Sequence, residues 1–141
     1  TDREALITTL AEGRIDAIVS DHVACTNESK AHPFPEAAPG SASLEALLPV
    51  LCTLVQDGQM SLADALRPVT SGPADILGLD QGRLEDGAPA DLVVFNPNAP
   101  FVYGRGPMQC RAPSAFSGRR LFGKALITIA EGAIIYQLED E

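Results

Sequence analysis

The sequence has 141 residues, of which 45% are hydrophobic, so it can bury a core and is too apolar for a disordered chain. Its formal net charge of −9 argues against nucleic acids and anionic membranes as partners, because phosphate binding needs a basic surface. No apolar run approaches the roughly 18 residues of a membrane span, and three cysteines without metal-ligand spacing favour reduced thiols in a cytoplasmic protein.

The start of the chain predicts a helix, a glycine turn and a buried strand. Residues 1–12 are amphipathic, with Leu6 and Leu10 on one face, and Gly13 can end the helix. Residues 15–19 form an almost unbroken apolar run, which is typical of a strand that a parallel sheet buries on both faces. Because the sequence opens inside such a helix without a methionine, we expect it to be part of a larger α/β fold.

Asp21 and His22 follow directly where this apolar run stops. In α/β barrels and open α/β sheets, ligands bind at the carboxyl ends of strands. The pair is therefore the first candidate for chemistry. A solvated pair at a strand end, with Asp21 capping the next loop, is an equally simple interpretation.

A long loop rich in proline is predicted over residues 23–43, where it follows the Asp-His pair. Pro33, Pro35, Pro39 and Gly40 interrupt any regular structure there. Loops of this length are uncommon in compact domains and are often functional. We therefore favour a loop that covers a substrate over an ordinary surface excursion.

A second helix is predicted from Ser43 to Gly58, because leucine and valine recur at helical spacing. Pro49 should lie in its first turn or mark a kink. Cys52 lies on or beside the apolar stripe, so we interpret it as a core residue and not as a nucleophile.

Two shorter helices follow. Ser61 and Asp64 resemble a capping box at the start of the first. Residues 70–73 read as a break, and Ala74 begins a short helix that Gly78 ends.

From Gly82 onward, turn signals separate short β runs. The predicted strands are residues 92–95, 101–103, 126–129 and 133–136. Glu131 and Gly132 form a favourable hairpin turn between the last two. We therefore expect two structural parts: an α/β part over residues 1–80 and a β part over residues 81–141.

Nearly the whole chain resembles the dihydroorotases of the amidohydrolase superfamily. The segments that carry this resemblance are IDAIVSDH at residues 15–22, Pro33-Phe34, Leu44-Glu45 with Leu48-Pro49, Ser71-x-Pro73-Ala74, ADLVVF at residues 90–95, and Phe116-Ser117-Gly118. The resemblance implies that residues 1–80 are the C-terminal part of a metal-dependent (β/α)8, or TIM, barrel. It also implies that residues 81–141 belong to the small β-sandwich of these proteins.

The resemblance further implies an activity and the residues that serve it. Dihydroorotases interconvert dihydroorotate and carbamoyl aspartate in pyrimidine biosynthesis, at two zinc ions that share a hydroxide. Asp21 matches the aspartate that ligates a zinc ion and shuttles the proton. Cys25, Pro39 and Gly40 match substrate-binding positions, and His22 would orient Asp21 or form a structural hydrogen bond. The metal-binding histidines of the family lie on earlier strands, so these 141 residues alone should not be catalytically competent.

The sequence departs from the family pattern at two positions of its Asp-His-x-Pro-His motif. Cys25 replaces a histidine that binds a substrate carboxylate, and Ala24 replaces the proline. A thiol cannot form the charge-assisted hydrogen bond, which is worth about 1.5–3 kcal/mol.

Three functions stay open on the sequence. The first is a zinc-dependent dihydroorotase that acts on a small cyclic amide. The second is a non-catalytic dihydroorotase-like subunit that supports aspartate transcarbamoylase. The third is an allantoinase-like cyclic ureide hydrolase, since a cysteine at position 25 also resembles allantoinases. Self-association is expected in each case, because a partial barrel exposes apolar faces.

Overall fold

The computed structural model describes residues 1–106 and 108–139. Residues 107, 140 and 141 of the predicted β part over residues 81–141 lie outside the described residues. In the described ranges lie five α-helices, two 3₁₀ turns and one three-stranded sheet. The helices are α1 (Asp2–Ala11), α2 (Asn27–Lys30), α3 (Leu47–Gln56), α4 (Leu62–Leu66) and α5 (Ser71–Leu77). The 3₁₀ turns are Leu44–Ala46 and Arg67–Val69, and the strands are β1 (Leu92–Val102), β2 (Arg120–Ala130) and β3 (Ala133–Gln137).

Local sequence signals place most helix ends correctly. The Thr1 side chain accepts a hydrogen bond from the amide of Glu4 at the start of α1, and Ser61 accepts one from Asp64 at the start of α4. Gly78 adopts a left-handed conformation directly after α5. The predictions for Ser61 and Gly78 are confirmed, because each depends on contacts within four residues along the chain.

Helix α3 forms the core together with the sheet. Cys52 is fully buried on this helix, so its predicted role as a core residue is confirmed, and burial raises the pKa of its thiol. A Cβ added to Gly123 on β2 would lie 2.7 Å from the Cys52 sulfur. Only glycine at position 123 allows this close approach of strand and helix.

The start of α5 differs from the prediction. The helix begins at Ser71 and not at Ala74, so the predicted break at residues 70–73 is largely wrong. Gly72 is buried inside the helix, where a Cβ would collide with the backbone oxygen of Asp16. Gly72 therefore permits a close contact between two segments and does not end a helix.

The sheet is antiparallel in the order β1–β2–β3. The predicted runs 92–95 and 101–103 belong to a single strand, Leu92–Val102, in which the pairing is irregular between Asn96 and Pro100. The predicted hairpin is confirmed: Glu131 and Gly132 have φ angles of 50° and 79° between β2 and β3. Both values suit a turn that needs positive φ.

The predicted strand at residues 15–19 is wrong for this structure. Residues 14–26 contain no strand, and Val19 is 82% exposed instead of buried. A strand needs hydrogen-bonded neighbours, and among the described residues the only backbone–backbone hydrogen bond of residues 15–19 runs from the amide of Ile18 to the carbonyl of Pro68 (2.8 Å). No helix in the described ranges is long and apolar enough to cross a membrane.

Candidate functional site

Asp21 lies at the end of the extended segment with an exposed side chain. Its φ angle is +46°, a left-handed conformation that aspartate tolerates better than most residues. Apart from Asp21, only Glu131 of the hairpin turn has a positive φ among the described residues other than glycine. Backbone strain of this kind is often found at functional sites, and here it occurs at the residue that the sequence selects for chemistry.

His22 and Ser43 fix the backbone on both sides of Asp21. The Nδ1 atom of His22 accepts hydrogen bonds from the amides of Ser43 and Leu44, each at 3.1 Å. The Ser43 hydroxyl donates to the carbonyl oxygen of Ser20 at 2.6 Å. Because Nδ1 accepts two hydrogen bonds, it carries no proton, and the imidazole proton lies on Nε2. His22 thus makes structural hydrogen bonds at the start of a helical turn.

The loop over residues 23–43 folds back on itself. The amide of Val23 donates to Ser41 O at 3.0 Å and closes the base of the loop, and Ala38 N donates to Ser29 O at 3.0 Å. The loop contains α2, whose start is capped by Thr26. It is therefore an ordered excursion that returns to the vicinity of Asp21.

Two of the three predicted substrate-binding residues are in direct contact. The Cys25 thiol donates to the carbonyl oxygen of Pro39 at 3.2 Å. The next residue, Gly40, has φ +116° and approaches Val23 so closely that a Cβ would lie 2.7 Å from the valine side chain. The structure thus brings Cys25, Pro39 and Gly40 together within the loop that follows Asp21.

The described residues do not fit a complete zinc site. Nowhere in ranges 1–106 and 108–139 do three or more His, Cys, Asp or Glu side chains lie close enough to hold a metal ion. A zinc site takes about three or four protein ligands. Asp21 can offer one carboxylate, whereas Nδ1 of His22 is already engaged by two amides.

Sequence reasoning missed two polar residues that hold the backbone of this region. Ser43 is buried and holds Ser20, and Lys30 donates from Nζ to Ala38 O and Gly40 O at 2.7 and 2.6 Å. Neither belongs to a spacing pattern, since each acts on backbone far away in the sequence. A lysine inside a proline-rich loop was the only available signal.

The structure also contains a cavity of about 430 Å³. Tyr103, Cys110, Arg111 and Ser114 line it together with Asn27 of α2. Tyr103 is buried, and this burial raises the pKa of its hydroxyl. The loop at one wall is held by the Glu45 carboxylate, which accepts a hydrogen bond from the amide of Cys110 at 2.6 Å.

Comparison with known proteins identifies the family. Residues 1–116 match the sequence model of the Amidohydrolase family. The chain belongs to the amidohydrolase family. The dihydroorotase of Clostridium acetobutylicum is 36% identical over 138 residues, which cover 96% of this chain and 32% of that protein. A dihydroorotase-like protein of Pseudomonas aeruginosa is 37% identical over 136 residues, with 96% and 32% covered.

Solved structures share the fold of this chain. A D-hydantoinase superposes with a TM-score of 0.85 at 22% identity, and the match covers 96% of this chain and 31% of that chain. At this identity the match shows the fold alone. The predicted resemblance to dihydroorotases is confirmed, and so is an α/β piece that carries an antiparallel sheet. This amidohydrolase chain spans about a third of the length of the relatives that it matches.

Proposed function

We propose that the chain is the C-terminal part of a dihydroorotase-like cyclic amide hydrolase, with Asp21 as its catalytic carboxylate. The observation that carries this proposal is the similarity to the dihydroorotase of Clostridium acetobutylicum, at 36% identity over 96% of the chain. The geometry of Asp21 also supports it. The side chain is exposed, the backbone is left-handed, and hydrogen bonds from Ser43 hold the residues on either side. The substrate would be a small cyclic amide such as dihydroorotate. The enzyme would act in pyrimidine biosynthesis in the cytoplasm.

The same proposal covers the architecture. Residues 1–80 would complete a TIM barrel and residues 81–141 a β-sandwich. Residues 15–20 would then pair with strands from the rest of the longer protein. The exposed apolar side chain of Val19 supports this, since such a residue is normally buried in a barrel strand. Other exposed apolar residues, including Leu84 and Phe34, favour association with further protein surface.

The proposed mechanism assigns one task to each residue of the site. Zinc, when bound, would lower the pKa of a water molecule to near 7 and polarise the substrate carbonyl. The Asp21 carboxylate would ligate the metal, accept the proton of the attacking water and return it to the leaving nitrogen. His22 would keep the backbone next to Asp21 in place through its bonds to Ser43 and Leu44. Cys25, Pro39 and Gly40 would contact the substrate.

The comparisons do not favour the two alternative functions. Relatives named dihydroorotase and dihydroorotase-like protein match this chain equally well, so similarity gives no preference for a non-catalytic subunit of aspartate transcarbamoylase. An allantoinase-like activity rests on Cys25 alone, and its thiol donates to Pro39 within the loop.

An assay of the complete, zinc-loaded protein tests the proposal. We expect hydrolysis of dihydroorotate, and formation of it from carbamoyl aspartate at lower pH, with allantoin hydrolysed at least about a hundredfold more slowly because a ring of different size misplaces the scissile carbonyl. A preference for allantoin would contradict the proposal, as would inactivity toward both compounds in a protein that holds its zinc.

A further inference from the structure

Three successive carbonyl groups of the loop accept hydrogen bonds from two side chains, those of Lys30 and Cys25. Lys30 Nζ donates to the carbonyl oxygens of Ala38 and Gly40, at 2.7 and 2.6 Å, and the Cys25 thiol donates to the carbonyl of Pro39 between them, at 3.2 Å. Both donors belong to the segment of residues 25–30. The loop therefore turns a row of three acceptors toward Lys30 and Cys25.

This arrangement fixes the direction of the neighbouring amides. No described peptide bond is cis, and in a trans peptide the N–H and C=O groups point in opposite directions. The amide of Gly40 shares a peptide plane with the carbonyl of Pro39, and the amide of Ser41 shares one with the carbonyl of Gly40. The Gly40 amide consequently faces away from the Cys25 thiol, and the Ser41 amide faces away from Lys30.

These two amides are available to a ligand. Within residues 1–106 and 108–139, neither the Gly40 amide nor the Ser41 amide donates a hydrogen bond to a protein acceptor. Gly40 is exposed and Ser41 is half-buried, so solvent or substrate can reach them. Adjacent backbone N–H groups of this kind bind anionic or carbonyl oxygens.

Lys30 is not the only contact that closes the loop. The hydrogen bonds from Val23 to Ser41 O and from Ala38 to Ser29 O also join its two arms. The ammonium in addition orients the two peptide planes that contain the carbonyls of Ala38 and Gly40. A charged donor shared by two carbonyls holds them more firmly than a neutral one.

We propose that Lys30 is a positioning residue that sets the direction in which peptide groups of this loop point. It holds the carbonyl of Gly40 toward its own ammonium, and thereby presents the amide of Ser41, beside that of Gly40, to an oxygen of the cyclic amide substrate. This inference rests on the proposed function for the identity of the substrate. The hydrogen bonds that define it are independent of that function.

The test compares Lys30→Met with Lys124→Met in the complete, zinc-loaded protein. Lys124 is the other lysine of this chain and is exposed on β2, so its replacement removes the same charge away from the loop. Lys30→Met should raise KM for dihydroorotate about tenfold to a hundredfold, with kcat within about threefold of the wild type. Lys30→Arg, which keeps the charge and the donors, should recover most of the loss, and Lys124→Met should change neither constant.

Amide hydrogen exchange gives a second readout that does not require activity. Lys30→Met should accelerate exchange at Val23 and Ala38 about tenfold relative to Lys124→Met, because the loop opens more often. Unchanged KM and unchanged exchange would overturn the proposal, and so would a fall in kcat with KM unaltered. If the wild type does not act on dihydroorotate, the proposed function fails and the exchange result alone decides the role of Lys30. If Lys30→Met does not fold, Lys30→Gln provides the same comparison.

Discussion

Replacement of Asp21 by asparagine in the complete, zinc-loaded protein is expected to lower kcat for dihydroorotate about 10²–10⁴-fold, the range for loss of a general acid–base group. The amide of asparagine cannot accept the proton of the attacking water, although it occupies the same volume. Folding should be unaffected, since the side chain is exposed and asparagine also tolerates a φ of +46°. Steady-state kinetics together with a thermal unfolding curve measure both effects.

Asp16→Asn is the matched control for this experiment. Asp16 lies on the same extended segment, is also exposed, and undergoes the same chemical change. It should retain full activity. If Asp21→Asn lost less than about threefold in kcat, or if Asp16→Asn lost as much, Asp21 would not be the proton-transferring carboxylate.

Cys25→His in the complete protein should tighten the binding of carbamoyl aspartate about tenfold to a hundredfold. An imidazolium can donate a charge-assisted hydrogen bond to a substrate carboxylate, and a thiol cannot. The thiol lies beside the Pro39 carbonyl at the loop position that would meet the substrate. Isothermal titration of carbamoyl aspartate measures the change in Kd.

Cys110→His serves as the comparison, since Cys110 is also half-buried but lines the cavity next to Tyr103. It should leave Kd unchanged. An equal Kd for Cys25→His and the wild type would mean that Cys25 only supports the loop through Pro39. The sequence departure at this position would then have no bearing on substrate affinity.

Features that depend on neighbours along the chain could be predicted from the sequence. Ser61 with Asp64 predicts the start of α4, and Glu131 with Gly132 predicts the hairpin turn, because both signals act within four residues. The start of α5 could not be predicted in this way. Gly72 reads as a helix breaker, but its actual role is to let Asp16 pass closely, which is a tertiary contact.

The apolar run of residues 15–19 shows a feature that the sequence could not settle. It predicts a buried strand, but a strand forms only where neighbouring strands bond to it. In the described residues the only backbone–backbone hydrogen bond of this run joins Ile18 to Pro68, so no strand forms.

Some residues of the candidate site could be selected from the sequence and others could not. Asp21 could be found from its place at the end of an apolar run, and Pro39 and Gly40 through the family resemblance. The roles of Ser43 and Lys30 could not be found, because each holds backbone atoms that lie eight to twenty-three residues away in the sequence. A lone serine or lysine carries no periodic signal that would indicate such a contact.

The most direct measurement is a crystal structure of the complete protein grown with zinc. A carboxylate oxygen of Asp21 should then lie about 2.0–2.2 Å from a zinc ion, with the other ligands supplied by residues outside this chain. An Asp21 carboxylate that points into solvent while zinc occupies a site without it would contradict the account.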